Sequence, residues 1–124
     1  MLELEPLRIP SGWMIGINSL YTDLASGEDL FPGAAVFCAW NHGRRFRIDI
    51  DWLPEWDPDG RFILTVAYQP WPRTDRGRRR KDAPFEFNAD EEMVHRSETR
   101  SYRELLSRLD HWMDRCSTWT REGN

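Results

Sequence analysis

The sequence predicts an α+β fold: an antiparallel meander of four to six strands packed against one C-terminal amphipathic helix as a two-layer sandwich. Three observations carry this. Phe46, Ile48, Ile50 and Trp52 alternate with Arg47, Asp49 and Asp51, the period-two signature of a half-buried strand. The turn sequence Asp57-Pro58-Asp59-Gly60 separates that run from a second apolar run at residues 61–69. From Tyr102 onward the apolar residues recur at three- and four-residue spacings instead of every second one.

Taken in order, Pro10-Ser11-Gly12 is a turn signal that introduces a first strand over Trp13–Tyr21. Residues 23–33 are polar and punctuated, hence a loop. Ala34–Trp40 is an unbroken apolar run bounded by Gly33 and Asn41-His42-Gly43, which predicts a short strand buried on both faces. The Asn-His-Gly turn leads directly into a strand over Arg44–Trp52, with Arg45, Arg47, Asp49 and Asp51 on its charged face. In the next turn proline presets φ, aspartate can bond nearby backbone and Gly60 accepts positive φ. The strand that follows, to Gln69, places Phe62, Leu64, Val66 and Tyr68 on one face. Its other face, Ile63, Thr65 and Ala67, is apolar enough to put it inside the sheet. These three strands form the meander, with the first strand as its fourth member.

Residues 70–84 are proline-flanked, basic and nearly devoid of apolar side chains apart from Trp71, which predicts an exposed, mobile loop. Phe85–Asn88 and Met93–Thr99 are short extended candidates. Ser101 with Glu104 forms a capping box, in which each side chain satisfies an amide of the other residue and opens the helix. Tyr102, Leu105, Leu106, Leu109, Trp112, Met113 and Cys116 make its apolar stripe, and residues 117–124 are left as a tail. A stripe of this kind must be buried, and the apolar face of the sheet is its acceptor.

At 124 residues the chain makes a single domain, 1–124, with a core of useful size. Seven tryptophans in that length have to serve as core or contact surface. The net charge of -4 hides an asymmetry: Arg73–Lys81 holds six basic residues and one acidic, leaving 11 basic against 20 acidic elsewhere. An acidic body argues against nucleic-acid binding, which needs a broad basic footprint, and suits a basic partner. Cys38 and Cys116 form no CxxC or His/Cys cluster, so both read as buried thiols of a reducing compartment. The amino terminus lacks the pattern of a secretion signal, and no apolar run approaches the ~20 residues of a membrane span. The expectation is a cytoplasmic monomer that does not associate with membranes.

Asp49 and Asp51 share a strand face, with Glu55, Asp57 and Asp59 close behind. Paired carboxylates can hold a divalent cation or divide acid and base roles, but Arg45 and Arg47 share that face and nothing marks a base or nucleophile. Trp52 and Trp56 set among these acids suggest instead a partner-binding surface, because aromatics are common interface anchors. The candidate site is therefore Asp49, Asp51, Trp52, Glu55, Trp56, Asp57 and Asp59, with no catalytic residue, metal ligand or cofactor motif. A single Glu92-x-x-His95 spacing lacks the further ligands a metal centre requires, and His42 and His111 read as ordinary. No GxSxG, P-loop, GxGxxG or HExxH occurs. The basic run at Arg78–Lys81 lacks the interleaved aromatics of a nucleic-acid platform.

Pro10-Ser11-Gly12-Trp13, Arg47-Ile48-Asp49-Ile50-Asp51-Trp52, Pro54 through Phe62 and Glu98-Thr99-Arg100-Ser101 resemble small bacterial immunity-type proteins, the cytosolic partners of polymorphic or contact-dependent toxins. The resemblance spans Pro10 to Met113 and rests on hairpin and helix-start patterns. It implies a protein that binds one cognate toxin tightly and occludes its active site or substrate surface. An acidic, aromatic-bearing surface fits that role if the toxin is a basic nuclease domain. The Arg73–Lys81 loop has no place in the pattern. Two alternatives stand beside it: a secretion chaperone or adaptor that binds an unfolded effector segment, and a small metal-dependent enzyme using Asp49 and Asp51.

Overall fold

The computed structural model describes residues 3–22, 34–81, 83–86 and 91–120. Five strands, β1 (Trp13–Asn18), β2 (Ala35–Asn41), β3 (Phe46–Leu53), β4 (Arg61–Tyr68) and β5 (Glu92–Thr99), precede one helix, α1 (Tyr102–Thr118). The strands lie in the order β1-β2-β3-β4-β5, every neighbour antiparallel, so the sheet is a plain meander with α1 packed against it.

Register explains which face meets the helix. Phe46, Ile48, Ile50 and Trp52 stand opposite Tyr68, Val66, Leu64 and Phe62, and β2 sets Phe37 opposite Ile50 and Ala39 opposite Ile48. Side chains alternate along a strand, so these residues share one face. Tyr102, Leu105, Leu109, Met113 and Cys116 of α1 are buried in the same cluster, with Leu106 and Trp112 at its margin. Each large side chain so buried contributes roughly 1.5–3 kcal/mol.

The helix starts as expected at Ser101, whose hydroxyl accepts from the Glu104 amide at 3.2 Å. The reciprocal half of the capping box is rerouted. Ser101 N–H donates to Thr99 Oγ1 at 3.0 Å, and the Thr99 hydroxyl donates to the Glu104 carboxylate, which also accepts from Arg108. The expected tail is shorter, since Ser117 and Thr118 are helical and Trp119 stacks on Phe46 with ring centroids 5.4 Å apart. The Trp13 indole donates to Ser117 Oγ at 2.8 Å and fastens β1 to the last turn of α1.

Elsewhere the structure corrects the reading. β1 ends at Asn18, and Leu20 beyond it is buried in the core while Tyr21 bridges Leu4. Met93–Thr99 belongs to a full edge strand, β5, whereas Phe85 and Glu86 are not in a strand; Phe87 and Asn88 lie outside the described residues. Residues 72–81, within the segment expected as an exposed, mobile loop, are largely exposed and form a small turn. Arg73 bridges Arg79, Thr74 N–H donates to the Arg78 carbonyl and Arg80 N–H to the Pro72 carbonyl, each at 2.7 Å. Gly60 does not adopt positive φ; its lack of a side chain is needed because the Trp52 ring lies directly against it.

Candidate functional site

On the sheet face away from α1, β3 presents Arg47, Asp49, Asp51 and Leu53 in line. Arg47 pairs with both Asp49 and Glu91. Cys38 stands opposite Asp49 across the β2–β3 ladder and donates its thiol to that carboxylate. Burial first, and the Asp49 bond second, push the Cys38 thiol up to about 12, so it remains a proton donor at neutral pH. Asp49 is thus held by a cation and a thiol. The Asp51 carboxylate makes no hydrogen bond or ion pair among the described residues. Its pKa is raised by burial and by the Asp49 charge, with Arg47 offsetting part of that rise.

Beyond Leu53, the turn divides the remaining candidates by role. Trp52 is not available to a partner: it is buried, packs edge-on against Phe62 at 4.8 Å, and donates its indole N–H to the Asp57 carbonyl at 2.9 Å. The period-two pattern that puts Ile48 and Ile50 in the core puts Trp52 there as well. Asp57 is structural too, because its carboxylate accepts the Asp59 amide at 2.8 Å. Trp56 is the opposite case. It is 69% exposed and sits at φ 61°, a left-handed conformation that is uncommon for a bulky residue and costs on the order of 1 kcal/mol or more. Leu53, which sequence reasoning passed over, is also exposed and lies on the same face as Asp51. Glu55 and Asp59 are exposed around Trp56, and Arg100 tempers their charge by donating to the Pro58 carbonyl and standing 4.0 Å from Asp59.

Arg45 is the residue that sequence reasoning misplaced. Expected beside Arg47 on the charged face, it closes the β2–β3 turn at φ 65° and is 1% exposed. Its N–H to the Asn41 carbonyl (2.7 Å) tightens the turn and rotates the side chain inward. The guanidinium donates to the Gln69 carbonyl, the Gln69 side-chain oxygen and the Ala83 carbonyl at 2.7–3.2 Å, and lies 4.3 Å from the centre of the Trp71 ring. It forms part of the lining of a cleft of about 340 Å³, together with Trp71, Arg80 and Glu86. The signal in the sequence was Pro70-Trp71-Pro72, a lone aromatic braced by prolines inside an otherwise polar segment.

Among the described residues no group of three or more His, Cys, Asp and Glu is placed to hold a metal ion. His95 stacks on Trp112 at 4.7 Å rather than completing a metal centre with Glu92. Cys116 is a free buried thiol whose pKa burial pushes up to about 12. Among the described residues no helix is long and apolar enough to cross a membrane. No family model, curated protein or solved structure matches the chain.

Proposed function

We propose that this protein is an immunity-type inhibitor, non-enzymatic, that captures a basic bacterial toxin through the β3–β4 turn and the acidic strip leading to it. The observation that carries the reading is Trp56: a large aromatic left in water, in a strained backbone conformation, between Glu55 and Asp59. Exposed aromatics of this kind act as anchors when a partner's pocket removes them from water. Asp51 supports it. A carboxylate kept on the sheet face without a partner among the described residues lowers stability, and such a cost is common where a surface serves recognition. Leu53 adds apolar contact beside the charge, and the acidic strip would speed encounter with a cationic surface.

The test is co-expression with the product of the gene immediately upstream. The expected result is a stable complex and protection of the cells, with Trp56→Ala weakening the complex about 30-fold or more at unchanged melting temperature. Absence of both complex and protection would sink the proposal.

A second reading, the chaperone or adaptor, rests on a different surface. β1 is a sheet edge whose Met14, Ile15 and Ile17 are exposed and uncharged, whereas the opposite edge, β5, carries Glu92, Arg96 and Glu98. An apolar edge without charges can accept an extended segment as an added strand. Binding that survives Trp56→Ala but is lost when Ile15 is replaced by lysine would favour it.

A further inference from the structure

The two ends of β3 differ in charge. The end that leads to Trp56 is acidic, while the other opens on Arg45 and the Arg73–Lys81 turn, about 26 Å away along eight residues of strand. At the basic end lies the cleft of about 340 Å³, within the roughly 300–1,000 Å³ of small-molecule sites.

We propose that this cleft binds a phosphate-bearing small molecule of mononucleotide size, with Arg80 as the group that holds the phosphate and the buried Arg45 as a fixed positive charge behind it. Arg45 supplies a buried, fixed positive charge. Its guanidinium is fixed by three carbonyl acceptors and lies over the Trp71 and Phe85 rings, so it supplies a standing positive potential to the cleft rather than a direct bond to the anion. Burial also weakens solvent screening of that charge. Arg80 lines the mouth, is exposed, and its side chain makes no hydrogen bond or ion pair among the described residues. Its backbone is nonetheless placed, through the 2.7 Å bond to the Pro72 carbonyl. The planar guanidinium matches the oxygen spacing of a phosphate, which a lysine ammonium would not.

The walls are preformed. Pro70, Pro72 and Pro84 line the cleft and restrict the backbone on both sides of it. Gln69 ties those sides together, accepting from the Glu86 amide at 2.8 Å and donating to the Glu86 carbonyl. Arg76, Arg78 and Lys81 are exposed outside the cleft and raise the local anion concentration without reaching into it. Glu86 is the carboxylate in the lining and works against an anion. A concave, proline-walled site with two arginines suits one small anionic group better than a nucleic-acid backbone, which needs an extended basic track.

The experiment is isothermal titration of the full chain with inorganic pyrophosphate and, separately, with adenosine monophosphate. Saturable binding of both is expected, each displacing the other. Arg80→Gln should weaken it roughly tenfold or more while leaving the melting temperature unchanged, because that side chain is exposed and supports no fold contact. Glu86→Gln should strengthen it about two- to fivefold, since a repulsive charge is removed. The double variant Arg76→Gln/Arg78→Gln should change affinity by less than about threefold. Failure of both probes to bind at millimolar concentration would overturn the proposal. So would equal losses in the Arg80 and Arg76/Arg78 variants, which would mark diffuse surface charge rather than a site. Because these probes and residues stand apart from the toxin surface, the result is independent of the function proposed above.

Discussion

Gly60 lies directly beneath the Trp52 indole, so close that a β-carbon there would stand 2.6 Å from Nε1 and 3.0 Å from the Pro54 carbonyl oxygen. The same indole nitrogen donates to the Asp57 carbonyl, so ring, glycine and turn form one packed unit that carries Trp56 outward. Gly60→Ala is expected to destabilise the protein by about 1–3 kcal/mol, the usual cost of forcing an atom into a packed site. Thermal denaturation checks this, and the near-ultraviolet signal of Trp52 should change with it. An unchanged melting temperature would show that the indole can move aside freely.

Asp49 and Asp51 are expected to respond in opposite ways to removal of charge. Asp49→Asn weakens an Arg47 ion pair and the acceptor of the Cys38 thiol, and should cost about 1–3 kcal/mol. Asp51→Asn removes a charge that burial and Asp49 disfavour, and should raise the melting temperature by ~2–6 °C at pH 7. The sign follows from linkage. A carboxyl whose folded pKa lies above its unfolded value penalises the folded state at neutral pH, and that penalty fades as pH falls below the ordinary value of about 3.9. The Asp51→Asn advantage should therefore be full at pH 7 and absent near pH 3, as paired melting curves would reveal.

His95 stacks on Trp112, and its pKa is lowered by burial first and then by the charges of Arg108 and His111. A base with a depressed folded pKa contributes stability that is present above its unfolded value, near 6.5, and is lost as pH falls through the folded one. The protein should therefore lose stability as pH falls below about 6.5. His95→Gln should flatten that slope without reversing it. Urea midpoints at a series of pH values, in the wild type and the variant, decide the matter; parallel slopes would assign the effect to other groups.

The fold was legible where hydrophobic period was clean. Phe46 to Trp52 and Tyr102 to Cys116 follow the two periods so closely that sheet face and helix stripe could be named residue by residue. β5 was faint because an edge strand with Glu92, Arg96 and Glu98 carries few apolar residues to mark its period. Arg45 was misplaced for a conformational reason: one positive φ at the end of a turn takes a residue off the strand's alternation, and no neighbour in sequence announces it. Of the candidate surface, Glu55, Trp56 and Asp59 emerge exposed on the turn, and Asp49 and Asp51 share the open sheet face. Trp52 and Asp57 serve the turn itself, through contacts that depend on a ring reaching across to a carbonyl several residues away.

The simple strand order has a consequence for how the chain assembles. Every strand pairs with its neighbour in sequence, so the sheet can grow by successive zipping, with the connection from Tyr68 to Glu92 as its longest closure. The bond from Trp13 to Ser117 is of another kind, joining residues 104 apart in sequence. It can form only after the ladder has brought β1 alongside the site where α1 docks. The Trp13 indole is thus a built-in reporter of the final step: its fluorescence should settle last, after the backbone signal of the sheet is already complete.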